Sequence, residues 1–388
     1  MTMNERGIPT VSEAEMPHDF QMTAKRPVFH AAAERQLGIG VVGLNEGQTL
    51  LTGLSRASHA RGVAGCDISP EKLEETRAAH PDLFLTSSYE ELLARDDVDI
   101  VAIYTPDQVH GRQIVQAMEA GKDVICTKPV VNSIEDAHLV LETGRKTGRR
   151  LQVGQSCRFF ESFKRQRAAF EKGDLGMVEL ADAHYIHRMD WYYDKSDWVI
   201  GSTDWVFLGL SHPIDLVRWY LGPVDEVSAL ASRSALGERC GLPGNDIYVV
   251  NLKSRDGRIG RAMGNYGLHE LPSARNCIEL VLYGSDGTSM AQYHDMRFAT
   301  TRPDGTEVWE DALYANRAYY FNNEVHGMHY GEFANYAEHF ANAILEGTPN
   351  APDLEEGIDT FCVMEAVRRS AESGQPVHID EVRREVGL

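Results

Sequence analysis

Nowhere in the 388 residues does an apolar run approach the roughly 18 to 20 residues that span a bilayer, so no membrane-crossing helix is expected. Basic residues are scarce, with 38 Lys and Arg against 58 Asp and Glu and a formal net charge of -20. Such a surface repels phosphate backbones and anionic lipid, which argues against nucleic acid or a membrane as partner. None of the six cysteines (Cys66, Cys126, Cys157, Cys240, Cys277 and Cys362) falls in a CxxC pair. That pattern fits reduced thiols in a cytoplasmic protein, with neither disulfide nor zinc site expected. The first 36 residues carry early acids and no continuous apolar core, so no secretory signal is read there. Internal repeats and low-complexity linkers are also lacking.

What is present suffices for two domains with buried cores. From LGIGVVGL onward, short apolar strands alternate with helical segments: GVAGCDI, SPEKLEETRAAH, SYEELLARDDV, DIVAIYTP, QIVQAMEAG, DVICTKP and SIEDAHLVLETGRKTG, ending at LQVGQS. Strands apolar throughout, separated by helices, predict a parallel sheet covered on both faces. Ser69 followed by Pro70 is expected to start one of these helices. After the helix FESFKRQRAAFEKG the strands become longer and half-polar, and Asp256-Gly257 and Asp286-Gly287 read as hairpin turns. The expectation is an α/β protein: an extension over 1–36, a Rossmann domain over 37–155, and a substrate and oligomerisation domain over 156–388. The last would be an α/β domain with a large open, mostly antiparallel sheet, one face of which needs a helix, a domain or a second subunit to cover it.

The stretch LGIGVVGLNEGQTLLTGL holds a literal GxGxxG at Gly38, Gly40 and Gly43, yet the first two fall inside the strand. A dinucleotide cradle must lie in the turn after the strand, where backbone amides and a helix N-terminus meet the pyrophosphate. That turn is Gly43-Leu44-Asn45-Glu46-Gly47-Gln48, a degenerate fingerprint in which Asn45 and Gln48 stand for the second and third glycines. Asp67 closes the second strand, where a carboxylate can accept both adenosine ribose hydroxyls and repel a 2′-phosphate, favouring NAD over NADP.

The segment YTPDQVHGRQIVQAMEAGKDVICTKPV, with Thr105, Pro106, His110, Ala120-Gly121-Lys122 and Lys128-Pro129, resembles the core signature of the Gfo/Idh/MocA oxidoreductases. VGQSCRFFESFKR and LGLSHPIDLVRWYLG are similar to two later motifs of that family, so the resemblance runs from about residue 37 to 375. It implies NAD as cofactor and hydride transfer between nicotinamide and a secondary hydroxyl of a sugar or cyclitol. Lys128 and His212 are then the expected catalytic pair. Gly43, Leu44, Asn45, Glu46, Asp67, Thr105, Pro106, Asp107, His110, Lys128 and Gln155 are the expected cofactor contacts. Asp215, three residues after His212, is expected to orient substrate or support the histidine.

Two departures stand out: Leu208 occupies the position four before His212 where many members carry Asp, and Thr127 replaces the Glu before Lys-Pro. Arg158, with Lys164, Arg165 and Arg167, forms a basic cluster suited to an anionic substituent. The segment HYIHRMDWYYDKSDW, with His187 and Trp191, has the mix of rings and polar groups that a carbohydrate pocket uses. His326 and His329 have metal-ligand spacing but no completing ligand, so no metal is expected. A sugar or cyclitol dehydrogenase is the leading expectation. An NAD-dependent glycosidase, working by transient C3 oxidation and elimination on a substrate such as a sulfosugar or uronide, is the alternative, and a non-catalytic regulator the third. The partners expected are a small carbohydrate and a second copy of the chain, as dimer or tetramer.

Overall fold

The computed structural model describes residues 33–312 and 331–388, except 56, 197, 203 and 269–276, together with 2–3, 9–10 and 329. Its first sheet contains β1 (Leu37–Val42), β2 (Ala60–Cys66), β3 (Phe84–Thr86), β4 (Ile100–Ile103), β5 (Asp123–Thr127) and β6 (Leu151–Gly154). All pairings are parallel, in the order β3-β2-β1-β4-β5-β6. Every residue of β1, β4 and β6 is buried, as apolar strands covered on both faces must be. The order reverses between β1 and β4, and a doubly wound sheet leaves its ligand crevice beyond the strand ends at that point. Ser69 caps the helix Pro70–Ala79 by accepting the Lys72 amide, as its sequence suggested.

The second sheet has nine strands: β7 (Val178–Ile186), β8 (Val224–Ser232), β9 (Ile247–Ser254), β10 (Ile259–Asn265), β11 (Ile278–Gly284), β12 (Thr288–Tyr293), β13 (Arg297–Thr301), β14 (Glu307–Asp311) and β15 (Val377–His378). Their order is β14-β13-β12-β11-β7-β10-β9-β8-β15, antiparallel except where β7 meets β10. The two Asp-Gly turns join β9 to β10 and β11 to β12, where the sequence placed them. One face packs on the helices Ser211–Leu221 and Leu354–Ser373. Strand register aligns Leu230 with Val249, Lys253 with Ile259, and Ile259 and Tyr283 with Leu180, so Leu230, Val249, Ile259, Tyr283 and Trp309 all lie exposed on the other face.

The chain does not stay in its second half. Phe333, Tyr336 and Phe340 of the helix Glu332–Glu346 share a core with Ile39, Val41 and Tyr104 of the first sheet. Gly53 permits the approach, since a Cβ there would lie 2.7 Å from that of Ala334. The helix thereby covers the nucleotide-side sheet although it lies in the stretch assigned by sequence to the substrate domain.

Candidate active site

The turn after β1 has the geometry of a phosphate cradle. Gly43 sits at φ +86°, and a Cβ on it would lie 2.6 Å from the Tyr104 carbonyl oxygen, so only glycine fits. A Cβ on Gly47 would meet Val41 Cγ1 at 2.5 Å; this glycine seats the helix Gly47–Leu54 against β1, one residue ahead of the usual third glycine. Gly38 and Gly40 are packing positions inside the strand, where side chains would strike the Asp97 carbonyl and Leu92. Asn45 is exposed on the turn, Leu44 is buried beneath it and Glu46 is half-buried. Asp67 accepts the Leu44 amide at 2.7 Å and the Ser69 amide at 2.8 Å. A carboxylate has about four lone-pair sites, so two stay available for a diol. Gln155, buried beyond β6, carries an amide oxygen with no hydrogen-bond partner among the described residues. A glycine-dependent turn, a half-used carboxylate and an orphaned acceptor fit a dinucleotide.

His110, expected to touch the cofactor, lies against two backbone carbonyls. It is buried, with Nε2 at 2.8 Å from the Thr105 carbonyl and Nδ1 at 2.8 Å from that of Pro129. The neutral ring donates to one of these carbonyls and sits against the other, between the Thr105-Pro106 turn and the segment that carries Lys128. Burial lowers its pKa, against the pull of those carbonyls. Thr105 donates its hydroxyl to Gln113, and Asp107 lies buried in the short turn that follows Pro106.

Lys128, one residue past β5, is half-buried and donates to the Leu208 carbonyl at 2.8 Å. Burial draws its pKa down to about 8, and the carboxylates of Asp107 and Glu46 oppose the fall. His212 is the second residue of the helix Ser211–Leu221, buried, with Nδ1 at 3.4 Å from Cys157 Sγ and the Tyr185 ring edge-on at 5.7 Å. Burial first, then the charges of Lys128 and His329, hold the imidazole well below its ordinary range. An amine that loses its proton near neutrality beside a neutral imidazole is equipped for proton transfer.

Arg158 and Asp215, both expected at the substrate, are paired with each other. Arg158 Nε and Nη2 each donate to an Asp215 oxygen at 2.8 Å, the two side chains being 5% and 1% exposed. The remaining edge of the guanidinium faces Glu356 at 3.5 Å, and Trp219 lies 5.2 Å from its carbon. Burial opposes the guanidinium charge, but Asp215 more than restores it. The physical reason is economy of charge: a buried cation keeps its proton only by consuming a buried anion. The rest of the basic cluster is likewise engaged, Lys164 with Glu161, Arg165 with Glu310 and Arg167 with Glu171.

Aromatic rings gather beyond His212. Tyr185 and His187 stack at 6.4 Å, and Trp191 and His294 approach His187 edge-on at 6.1 Å. Trp191 stays 47% exposed, with its indole N–H donated to the Arg188 carbonyl. Sequence reasoning placed Tyr185 in its aromatic segment but missed His294, Cys157 and the pair His329–Glu332, whose partners lie far off in the chain or across the sheet. His329 reaches toward Glu46 of the glycine turn at 4.0 Å. His326 lies outside the described residues, and no group of three metal-ligating side chains occurs among those described.

Two family models match: an oxidoreductase NAD-binding Rossmann fold over residues 37–155, and an oxidoreductase C-terminal alpha/beta domain over residues 167–379. The chain belongs to the Gfo/Idh/MocA oxidoreductases. Its cofactor is NAD. Among its relatives, the uncharacterized oxidoreductase YrbE of Bacillus subtilis (strain 168) is 26% identical over 358 residues, 90% of this chain and 98% of that protein. An inositol 2-dehydrogenase of Gluconacetobacter diazotrophicus is 33% identical over 191 residues, 48% of this chain and 54% of the relative. The fold also matches a levoglucosan dehydrogenase in complex with NADH and levoglucosan, with TM-score 0.76, 18% identity, and 89% and 100% of the two chains covered. This Gfo/Idh/MocA member combines an NAD-binding sheet with a second sheet in which β7 carries Tyr185 beside His212.

Proposed function

We propose that this protein is an NAD-dependent dehydrogenase that oxidises a secondary hydroxyl of a sugar, sugar derivative or cyclitol. The observation that carries the reading is Lys128, an amine with its pKa drawn to about 8 at the crevice and held by a single backbone carbonyl. Bound NAD supplies the hydride acceptor. Asp67 would hold the ribose diol, the turn after Gly43 would hold the pyrophosphate, and Gln155 would offer its acceptor. The neutral Lys128 amine takes the hydroxyl proton, and His212 hydrogen-bonds the same oxygen as it becomes a carbonyl. The rings of Tyr185, His187 and Trp191 suit the apolar face of a sugar while their polar edges meet its hydroxyls.

Redox-neutral glycoside hydrolysis is the second reading. It draws on Leu208, which supplies only a backbone carbonyl where an acidic side chain would assist simple oxidation. An anionic substituent loses its main support, because Arg158 is committed to Asp215. A panel of free sugars, cyclitols and chromogenic glycosides with NAD separates the two, reading NADH absorbance and aglycone release together. Stoichiometric NADH supports the dehydrogenase; aglycone release without net NADH transfers the assignment to the hydrolase.

The exposed apolar face of the nine-stranded sheet supports a homo-oligomer built by pairing that face. Six free cysteines suit the reducing cytoplasm proposed as its location, and no described helix is long and apolar enough to cross a membrane.

A further inference from the structure

We infer that Cys157 is the positioning residue that fixes the tautomer of His212, donating its S–H to Nδ1 and leaving the imidazole proton on Nε2. The inference deepens the dehydrogenase reading and rests on it for what His212 does, although the tautomer itself can be read without any turnover.

The contact is built into the fold. Cys157 lies in the short turn Ser156–Phe159 between Gln155 and Arg158, and the two-pronged Arg158–Asp215 bridge clamps that turn onto the helix bearing His212. Sγ and Nδ1 stand 3.4 Å apart in a buried setting. The groups facing the imidazole are Cys157, Lys128, His329 and the Tyr185 ring. Burial acts in the same sense on both partners, discouraging thiolate and imidazolium alike, so the pair meets as neutral thiol and neutral imidazole. One hydrogen then serves the contact. A thiol is a weak acceptor, whereas an imidazole lone pair is a good one, so S–H···N prevails over N–H···S.

The chemical consequence is a division of labour. With its lone pair spent on Cys157, His212 has no site for the substrate proton and acts as an Nε2–H donor to the substrate oxygen throughout. The O–H bond breaks with its proton going to Lys128 Nζ, the C–H electron pair leaves with hydrogen as hydride to NAD, and the C=O bond forms. Leu208, one helical turn before His212, takes no part beyond the carbonyl it gives to Lys128.

The test is nitrogen NMR of the full-length chain labelled with ¹⁵N, in which couplings to ring protons distinguish the two tautomers and His212→Gln assigns the signals. Wild type and Cys157→Ser should show protonated Nε2, and Cys157→Ala a shift toward protonated Nδ1. Should the alanine variant not fold, Cys157→Val refills the volume without a donor. In parallel, kcat for NADH formation with the best substrate of the panel should fall roughly tenfold in Cys157→Ala, less than the 10² to 10⁴ that a general acid–base group itself contributes, because the imidazole stays in place. KM for NAD should stay within about twofold, as expected when only an interaction made in the transition state is lost. Cys157→Ser should restore kcat. Protonated Nδ1 in wild type, or the same tautomer in wild type and alanine variant, overturns the inference. Absence of NADH from wild type across the panel instead overturns the dehydrogenase reading, and the NMR result still decides the tautomer.

Discussion

Arg158 and Lys128 are both cations drawn out of solvent, and burial leaves them in opposite states. Arg158 meets Asp215 through two parallel bonds at 2.8 Å, and the pair stays ionised although almost no solvent reaches it. Lys128 and His212 have no such carboxylate bridge. The amine is satisfied by a carbonyl, the imidazole by a thiol, and both shift toward neutrality. Desolvation is common to both sites; what differs is the partner. A complete ion pair stores its charge as structure, whereas an incomplete one leaves a group free to change protonation during a reaction.

The comparison breaks most visibly at Lys128. Lys128→Met should lower kcat by about 10² to 10⁴, the usual span for a general acid–base group, while leaving the thermal midpoint unchanged or higher. NADH formation and a melting curve measured on one preparation check both halves; a loss below threefold removes Lys128 from the chemistry. On the other side, Asp215→Ala should destabilise the fold by roughly 3 to 5 kcal/mol, because Arg158 would be left buried and uncompensated. Denaturant midpoints measure this. Arg158→Met combined with Asp215→Leu should recover most of the loss, since removing both charges also removes the cost of burying them.

A pH profile sharpens the contrast further. Lys128 has its folded pKa lowered to about 8, so the neutral amine gains population as pH rises through that value. Its sign follows: kcat/KM for oxidation should climb about tenfold per unit below pH 8 and level above it. Lys128→Arg, which stays charged throughout this range, should give a low and flat profile.

Much of this was legible in the sequence, and the illegible part has a common cause. Parallel strands showed as unbroken apolar runs, and the hairpins of the second sheet showed as Asp-Gly turns, because both are local. The wrong register of the literal GxGxxG was also readable, since Gly38 and Gly40 fell within strand length. The partner of Arg158 was not legible, because an arginine beside a cleft motif carries no mark of the aspartate it will meet 57 positions later. The partners of His110 were hidden in the same way, being backbone carbonyls that no residue type encodes. The helix Glu332–Glu346 covers the first sheet after nearly 300 intervening residues, and its amphipathic pattern names a buried face without naming what buries it.

The smallest expected effect concerns Asp67, where a structural and a binding role share one carboxylate. Its bonds to the Leu44 and Ser69 amides hold the glycine turn to the end of β2, and its remaining lone pairs are the ones proposed for the ribose of NAD. Asp67→Ala should weaken NAD roughly tenfold, about 1.4 kcal/mol, in the range of a hydrogen bond to a charged group. NADP should respond differently, because the same change removes a negative charge that opposes its 2′-phosphate. Calorimetric titration with both dinucleotides separates the roles. Equal weakening would leave Asp67 as an anchor for the turn alone; weaker NAD with NADP unchanged or tighter would place the ribose against this carboxylate, because loss of the anchor cannot distinguish two ligands that differ only at the 2′ position.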